Sequence, residues 1–102
     1  MLSEISEVLK KLGIKPSDVK IYDLLRGREL GVREIAGELN LSPRFVRERL
    51  KELTKRGILK RKLVEKGWIG YKYTAEEPIE VLRKFKAQLH EELLRLEKTL
   101  NI

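Results

Sequence analysis

The sequence predicts a mainly α-helical domain carrying one small β-hairpin, in the α+β class. Three observations predict it. Apolar residues recur at spacings of three and four in several separate stretches, the periodicity of half-buried helices. Between Val32 and Leu59 two such stretches are joined by a turn of only four residues. After Gly57 the period shortens to alternation in segments rich in β-branched, aromatic and basic residues, which is strand chemistry.

The elements follow in order. Leu2, Ile5, Val8, Leu9 and Leu12 give the first helical stripe, with Gly13 as its stop. Pro16 suits a first helical position, Asp18 lies in the first turn, and Val19, Tyr22 and Leu25 with Ile21 and Leu24 form a broad apolar face ending at Gly27. Residues 28–31 are a connection in which Leu30 can pair as a short strand. Val32, Ile35, Ala36 and Leu39 mark a short third helix. Asn40 follows where the chain must turn sharply, and Asn tolerates the left-handed conformation. Ser42-Pro43 opens a fourth helix, because a serine oxygen can accept an orphan amide hydrogen and proline is pre-shaped for the first turn. Val46, Leu50 and Leu53 face inward from it, and Gly57 ends it.

The hairpin is predicted from Ile58–Glu65 and Trp68–Thr74 around Lys66-Gly67. Alternation puts Ile69, Tyr71 and Tyr73 on one face and Trp68, Gly70, Lys72 and Thr74 on the other, without deciding which is inside. A last helix starts at Pro78, behind Glu76-Glu77, and runs to about Leu100. Its stripe is Leu82, Phe85, Leu89, Leu93, Leu96 and Leu100, and Glu80 with Lys84 and Glu91 with Arg95 are expected as i to i+4 pairs. Some 22 residues of helix reach roughly 33 Å, more than so small a domain covers alone. A second copy of the helix is the expected cover, making the chain a homodimer.

The charge is concentrated. From Arg44 to Lys62 there are nine Lys or Arg against two Glu, an excess as large as the +7 of the whole chain. At about 100° per residue, Arg44, Arg47, Lys51 and Lys55 fall opposite the apolar stripe of the fourth helix. Phe45, Glu48 and Glu52 share that side, and Arg49 lies at the boundary, where a long stem can rest on the core and its head still reach a phosphate. A polyanion is the expected partner, since neutralised phosphates release counterions.

Helices, a basic second helix of a pair and then a hairpin make a winged helix-turn-helix. At this level the sequence resembles the DNA-binding domain of archaeal TrmB-type transcriptional regulators, from about Leu9 to Arg83. The resemblance runs through Arg33-Glu-Ile-Ala, Leu41-Ser-Pro-Arg, Leu50-Lys-Glu-Leu, Lys55-Arg-Gly-Ile-Leu and Tyr71-Lys-Tyr-Thr. The block from Glu-Ile-Ala to Gly-Ile-Leu is shared with MarR-like and ArsR-like winged helices. The resemblance implies a recognition helix from Ser42 to Arg56 in the major groove, a wing from Lys60 to Tyr73 on the backbone or minor groove, and a dimer. It divides the chain into residues 1–75, the DNA-binding unit, and 76–102, a C-terminal dimerisation helix.

On this reading Arg44 and Arg47 are placed for bidentate guanine contacts and Lys51, Lys55 and Arg56 for phosphates. Ser42 is read as a cap that can also touch a phosphate, and Phe45 as a contact for a thymine methyl or as packing for the wing. Arg61, Lys62, Lys66 and Lys72 supply the wing's charge, although lysine on a strand also guards an exposed edge.

Other functions are excluded or set aside. The chain has no cysteine and one histidine, His90, so no thiolate or multi-histidine metal site can form. Ser3, Ser6, Ser17 and Thr54 lack a histidine partner in any nucleophile pattern, no Gly-rich phosphate loop occurs, and no cofactor is implied. The chain is therefore not expected to be an enzyme. The acidic, amphipathic N-terminus is unlike a signal peptide, no apolar run is of membrane-spanning length, and a cytoplasmic, nucleoid-associated protein is expected. A high charged fraction with only Asn40, Gln88 and Asn101 as side-chain amides is a composition met in thermophiles. No small-molecule effector is indicated. Two other functions use the same fold: a protein-interaction adaptor, which a basic face disfavours, and a low-specificity architectural DNA binder, which the same charges would serve.

Overall fold

The computed structural model describes residues 7, 9–67 and 69–101. The expected positions Leu2, Ile5, Val8 and Trp68 lie outside them. Residues 9–11 are helical. There follow α1 (Pro16–Leu24), α2 (Val32–Leu39), α3 (Pro43–Lys55), β1 (Leu59–Glu65), β2 (Ile69–Ala75) and α4 (Pro78–Leu100). The strands form one antiparallel hairpin, Leu59 opposite Ala75 and Glu65 opposite Ile69. Leu30 closes onto Tyr73 with two backbone hydrogen bonds of 2.8 and 3.0 Å, the short pairing expected there. No helix among the described residues is long and apolar enough to cross a membrane.

The helix pair turns as its residues dictate. Asn40 adopts φ 53°, ψ 47°, and Leu41 N–H donates to Ala36 O at 3.0 Å. Ser42 Oγ accepts the Phe45 N–H at 3.1 Å, and Pro43 begins α3, so the connection is three residues rather than four. At the other end Gly57 N–H donates to Thr54 O and Ile58 N–H to Leu53 O, at 3.0 and 2.9 Å. This double closure needs a left-handed residue between, and Gly57 has φ 75°. A Cβ there would also lie 2.7 Å from Lys84 Nζ, which donates to Gly57 O at 2.8 Å.

Ile21, Leu25, Ile35, Val46, Leu50, Leu53 and Leu59 form the dry centre. Tyr73 closes it from the hairpin, which settles the inner face: that of Leu59 and Tyr73, not that of Lys72 and Thr74. The same face runs past the core, so Leu63, Tyr71 and Ile69 are exposed toward the tip.

α4 touches the core only near its start, through Val81 and Phe85. Arg56 lies 5.7 Å over the Phe85 ring and donates to Gln88 Oε1 at 3.2 Å. Lys84 turns back to Gly57, and the ion pairs along the helix are Glu80 with Arg83 (2.6 Å) and Glu92 with Arg95 (3.1 Å). The expected pairs Glu80 with Lys84 and Glu91 with Arg95 do not form, because Lys84 caps the end of α3 and one-turn partners at i+3 lie nearer.

Glu76 ties the hairpin to this junction. Its N–H donates to Ile58 O (3.0 Å), its carbonyl accepts the Tyr22 hydroxyl (2.6 Å), and its carboxylate lies 3.5 Å from Lys60 and 3.7 Å from Lys84. Desolvation opposes its charge, but the Glu77 N–H and the two ammonium groups outweigh it and hold the carboxyl below the ordinary value. A lowered folded pKa supplies stability above the unfolded value that is lost as pH falls through the folded one. Glu76→Gln should therefore flatten the decline of the thermal midpoint below about pH 4.5, relative to the parent chain, in a scan across the acid range. Gly57→Ala should lower stability by about 1 kcal/mol or more in urea unfolding, since it imposes a Cβ on a left-handed residue.

Candidate nucleic-acid interface

The cations of α3 divide into two sets with opposite surroundings. Arg44, Arg47, Lys51 and Lys55 are exposed, within an arc of roughly 80° on the helix. Among the described residues none of the four makes a side-chain hydrogen bond or ion pair. The apolar side of α3 is anchored by Val46, Leu50 and Leu53, each fully buried, so the arc faces away from the core.

Arg49 belongs to the other set, and its expected role as a DNA contact is corrected. The residue is 8% exposed and its guanidinium clasps Asp18 in two parallel bonds, Nε to Oδ1 at 2.8 Å and a terminal nitrogen to Oδ2 at 2.7 Å. Asp18 is 2% exposed, and its Oδ2 also accepts the Lys15 N–H at 2.8 Å, capping α1. The hydrogen bonds that Arg49 donates to Asp18 raise its pKa against the opposing effect of burial. A head so held cannot reach a phosphate. The physical reason is angular: Arg49 stands only about 40° from Leu53 around the helix, inside the border of the buried stripe. Arg56 is likewise drawn inward, onto Phe85 and Gln88 of α4, and does not extend the arc.

Ser42 is exposed, with its oxygen engaged as the α3 cap. Phe45 is half-buried, and its ring lies under the Lys15 ammonium (5.6 Å to the centroid). That contact brings Lys15 to the first turn of α3, a cation that the sequence reading did not single out. Its only sequence signal was its place just before Pro16.

The wing's cations do not form one cluster. Lys62 and Lys72 are directly opposed across the strands, on the face away from the core, and Lys62 is paired with Glu29 at 3.0 Å. Arg61 lies on the other face, its guanidinium 4.3 Å over the Tyr71 ring. Lys66 is exposed just after β1, at the tip of the hairpin. The wing therefore offers charge on both faces and at its end. No group of residues suited to a metal ion occurs among the described residues.

Comparison with known proteins agrees with this geometry. Residues 14–60 match the model of a family described as winged helix-turn-helix DNA-binding. A solved structure titled a possible transcriptional regulator, from Methanosarcina mazei Go1, superposes with a TM-score of 0.76 at 17% identity, covering 92% of this chain and 82% of that one. The reduced form of the transcriptional regulator YodB from B. subtilis gives 0.58 at 21% identity, covering 95% and 90%. Curated proteins return no match. Residues 14–60 are thus similar to a winged helix-turn-helix DNA-binding family, and the chain shares its fold with the two solved structures.

The division of arginines is measurable. Arg49→Ala strands the Asp18 carboxylate in the core and should cost about 3–5 kcal/mol in chemical denaturation. Arg47→Ala, two residues away on the exposed arc, should change stability by no more than about 0.5 kcal/mol.

Proposed function

We propose that the protein is a sequence-specific transcriptional regulator that binds double-stranded DNA as a homodimer in the cytoplasm, on the nucleoid. α3 enters the major groove and the wing lies on the backbone or in the minor groove. Arg44 and Arg47, nearest the N-terminal end of α3, read base edges, while Lys51, Lys55 and the wing residues Arg61, Lys62, Lys66 and Lys72 meet phosphates. Leu82, Phe85, Leu89, Leu93, Leu96 and Leu100 of α4 form the dimer contact.

One observation carries the reading. Within a single helix, the arginine on the buried side is fully engaged by the protein, whereas the four cations of the opposite arc have no partner among the described residues. A helix that presents such an arc, inside a segment matching a DNA-binding family, is suited to the width of the major groove. Base-edge contacts by arginine discriminate between sequences, whereas lysines on phosphates do not.

The test is selection of bound fragments from random duplex DNA, repeated with Arg44→Ala/Arg47→Ala. The parent chain should enrich a two-fold symmetric site, and the double variant should lose enrichment while keeping residual affinity. Equal retention of selected and random duplexes by the parent chain would instead identify a low-specificity architectural binder, and absence of binding at low salt would remove DNA from the proposal. Lys51→Ala should weaken all duplexes alike and reduce the slope of log affinity against log salt by about 0.9 for each protomer.

A further inference from the structure

We infer that two copies of the chain associate with their α4 helices antiparallel, the C-terminal half of each seated in a groove on the other. This rests on the homodimer proposed above and adds its geometry. The two halves of α4 differ. The first half borders an open apolar groove of about 870 Å³, lined by Leu82, Phe85, Leu89 and Leu93 and, from the leading segment, by Leu9 and Leu12. The second half extends beyond the described contacts with its own domain, with Leu93, Leu96 and Leu100 at 57–66% exposure. Each half thus supplies what the other lacks, and a surface that is its own complement is what a two-fold contact requires.

Four of the six stripe positions are also symmetric about the middle of the helix. With the two-fold axis near Glu91, Leu82 stands opposite the partner copy's Leu100, and Leu89 opposite its Leu93. Charge favours the same direction. Arg83 and Arg95 are engaged along the helix by Glu80 and Glu92, and Lys84 is turned to Gly57. Lys86 and Glu97 border the stripe on one common side, within roughly 60° of Leu82. An antiparallel pair brings like flanks together, so each Lys86 meets the other copy's Glu97, twice by symmetry. A parallel pair would place the two domains side by side at one end, competing for the same grooves. In the antiparallel pair the two Pro78 positions stand roughly 39 Å apart along the helix axes at 1.5 Å per residue, which leaves the two domains at opposite ends.

Because the chain has no cysteine, introduced ones report only on themselves. Leu82→Cys and Leu100→Cys are prepared separately, their masses in solution are measured, and each is oxidised alone and after mixing. A disulfide-linked dimer should appear in the mixture and not with Leu82→Cys alone. Linking of Leu82→Cys to itself would overturn the antiparallel arrangement while leaving the homodimer standing. A monomeric mass for the parent chain would overturn both. As a second measure, Lys86→Glu or Glu97→Lys alone should weaken the dimer roughly threefold to tenfold, and the two together should restore it. Failure of restoration with folding intact would count against the pairing.

Discussion

The bidentate contact between Arg49 and Asp18 is the constraint on which the rest of the molecule is arranged. Both groups are almost fully withdrawn from solvent, and a buried charge is tolerated only when its partner is aligned and its remaining hydrogen-bonding capacity is used. Asp18 meets that condition with three donors, two from Arg49 and one from the backbone of Lys15. The start of α1 is thereby locked to the middle of α3. Apolar packing by Val46, Leu50 and Leu53 sets the depth of α3, but a stripe of branched residues tolerates small rotations that a pair of parallel hydrogen bonds does not. The roll of α3, and hence the direction of its exposed arc, is fixed by this pair.

A second set of contacts fixes the far end. The Gly57 turn, the Lys84 ammonium on its carbonyl, and the Arg56 head on Phe85 join the end of α3 to the start of α4. α3 is therefore held at its middle by α1 and at its end by α4, while Ser42 and Arg44 at its start are exposed. A helix held in this way presents its N-terminal part outward.

Much of this was legible in the sequence. The helix stops at Gly13 and Gly57, the left-handed Asn40, the serine cap, the Leu30 pairing and the hairpin follow from local chemistry that acts within a few residues, and each is present. What failed was long-range. Nothing within a few residues of Arg49 announces an aspartate 31 positions earlier, and Asp18 had a sufficient local role in the first turn of its own helix. Lys84 and Arg56 were assigned by neighbours in sequence, whereas their partners lie on another element. Charge counting overstated the exposed positive surface because it cannot separate cations that face solvent from those used within the fold.

The contact between Glu29 and Lys62 carries a consequence for the wing. Lys62 and Lys72 repel across the strands, and in the free protein Glu29 sits 3.0 Å from Lys62, occupying the position an external anion would take. The carboxylate is an internal stand-in. Any phosphate reaching that ammonium must displace it, so the gain on contact is the difference between two anions rather than the full worth of one. An anion at Lys62 alone therefore gains less than one that also reaches Lys72, which has no ion pair among the described residues.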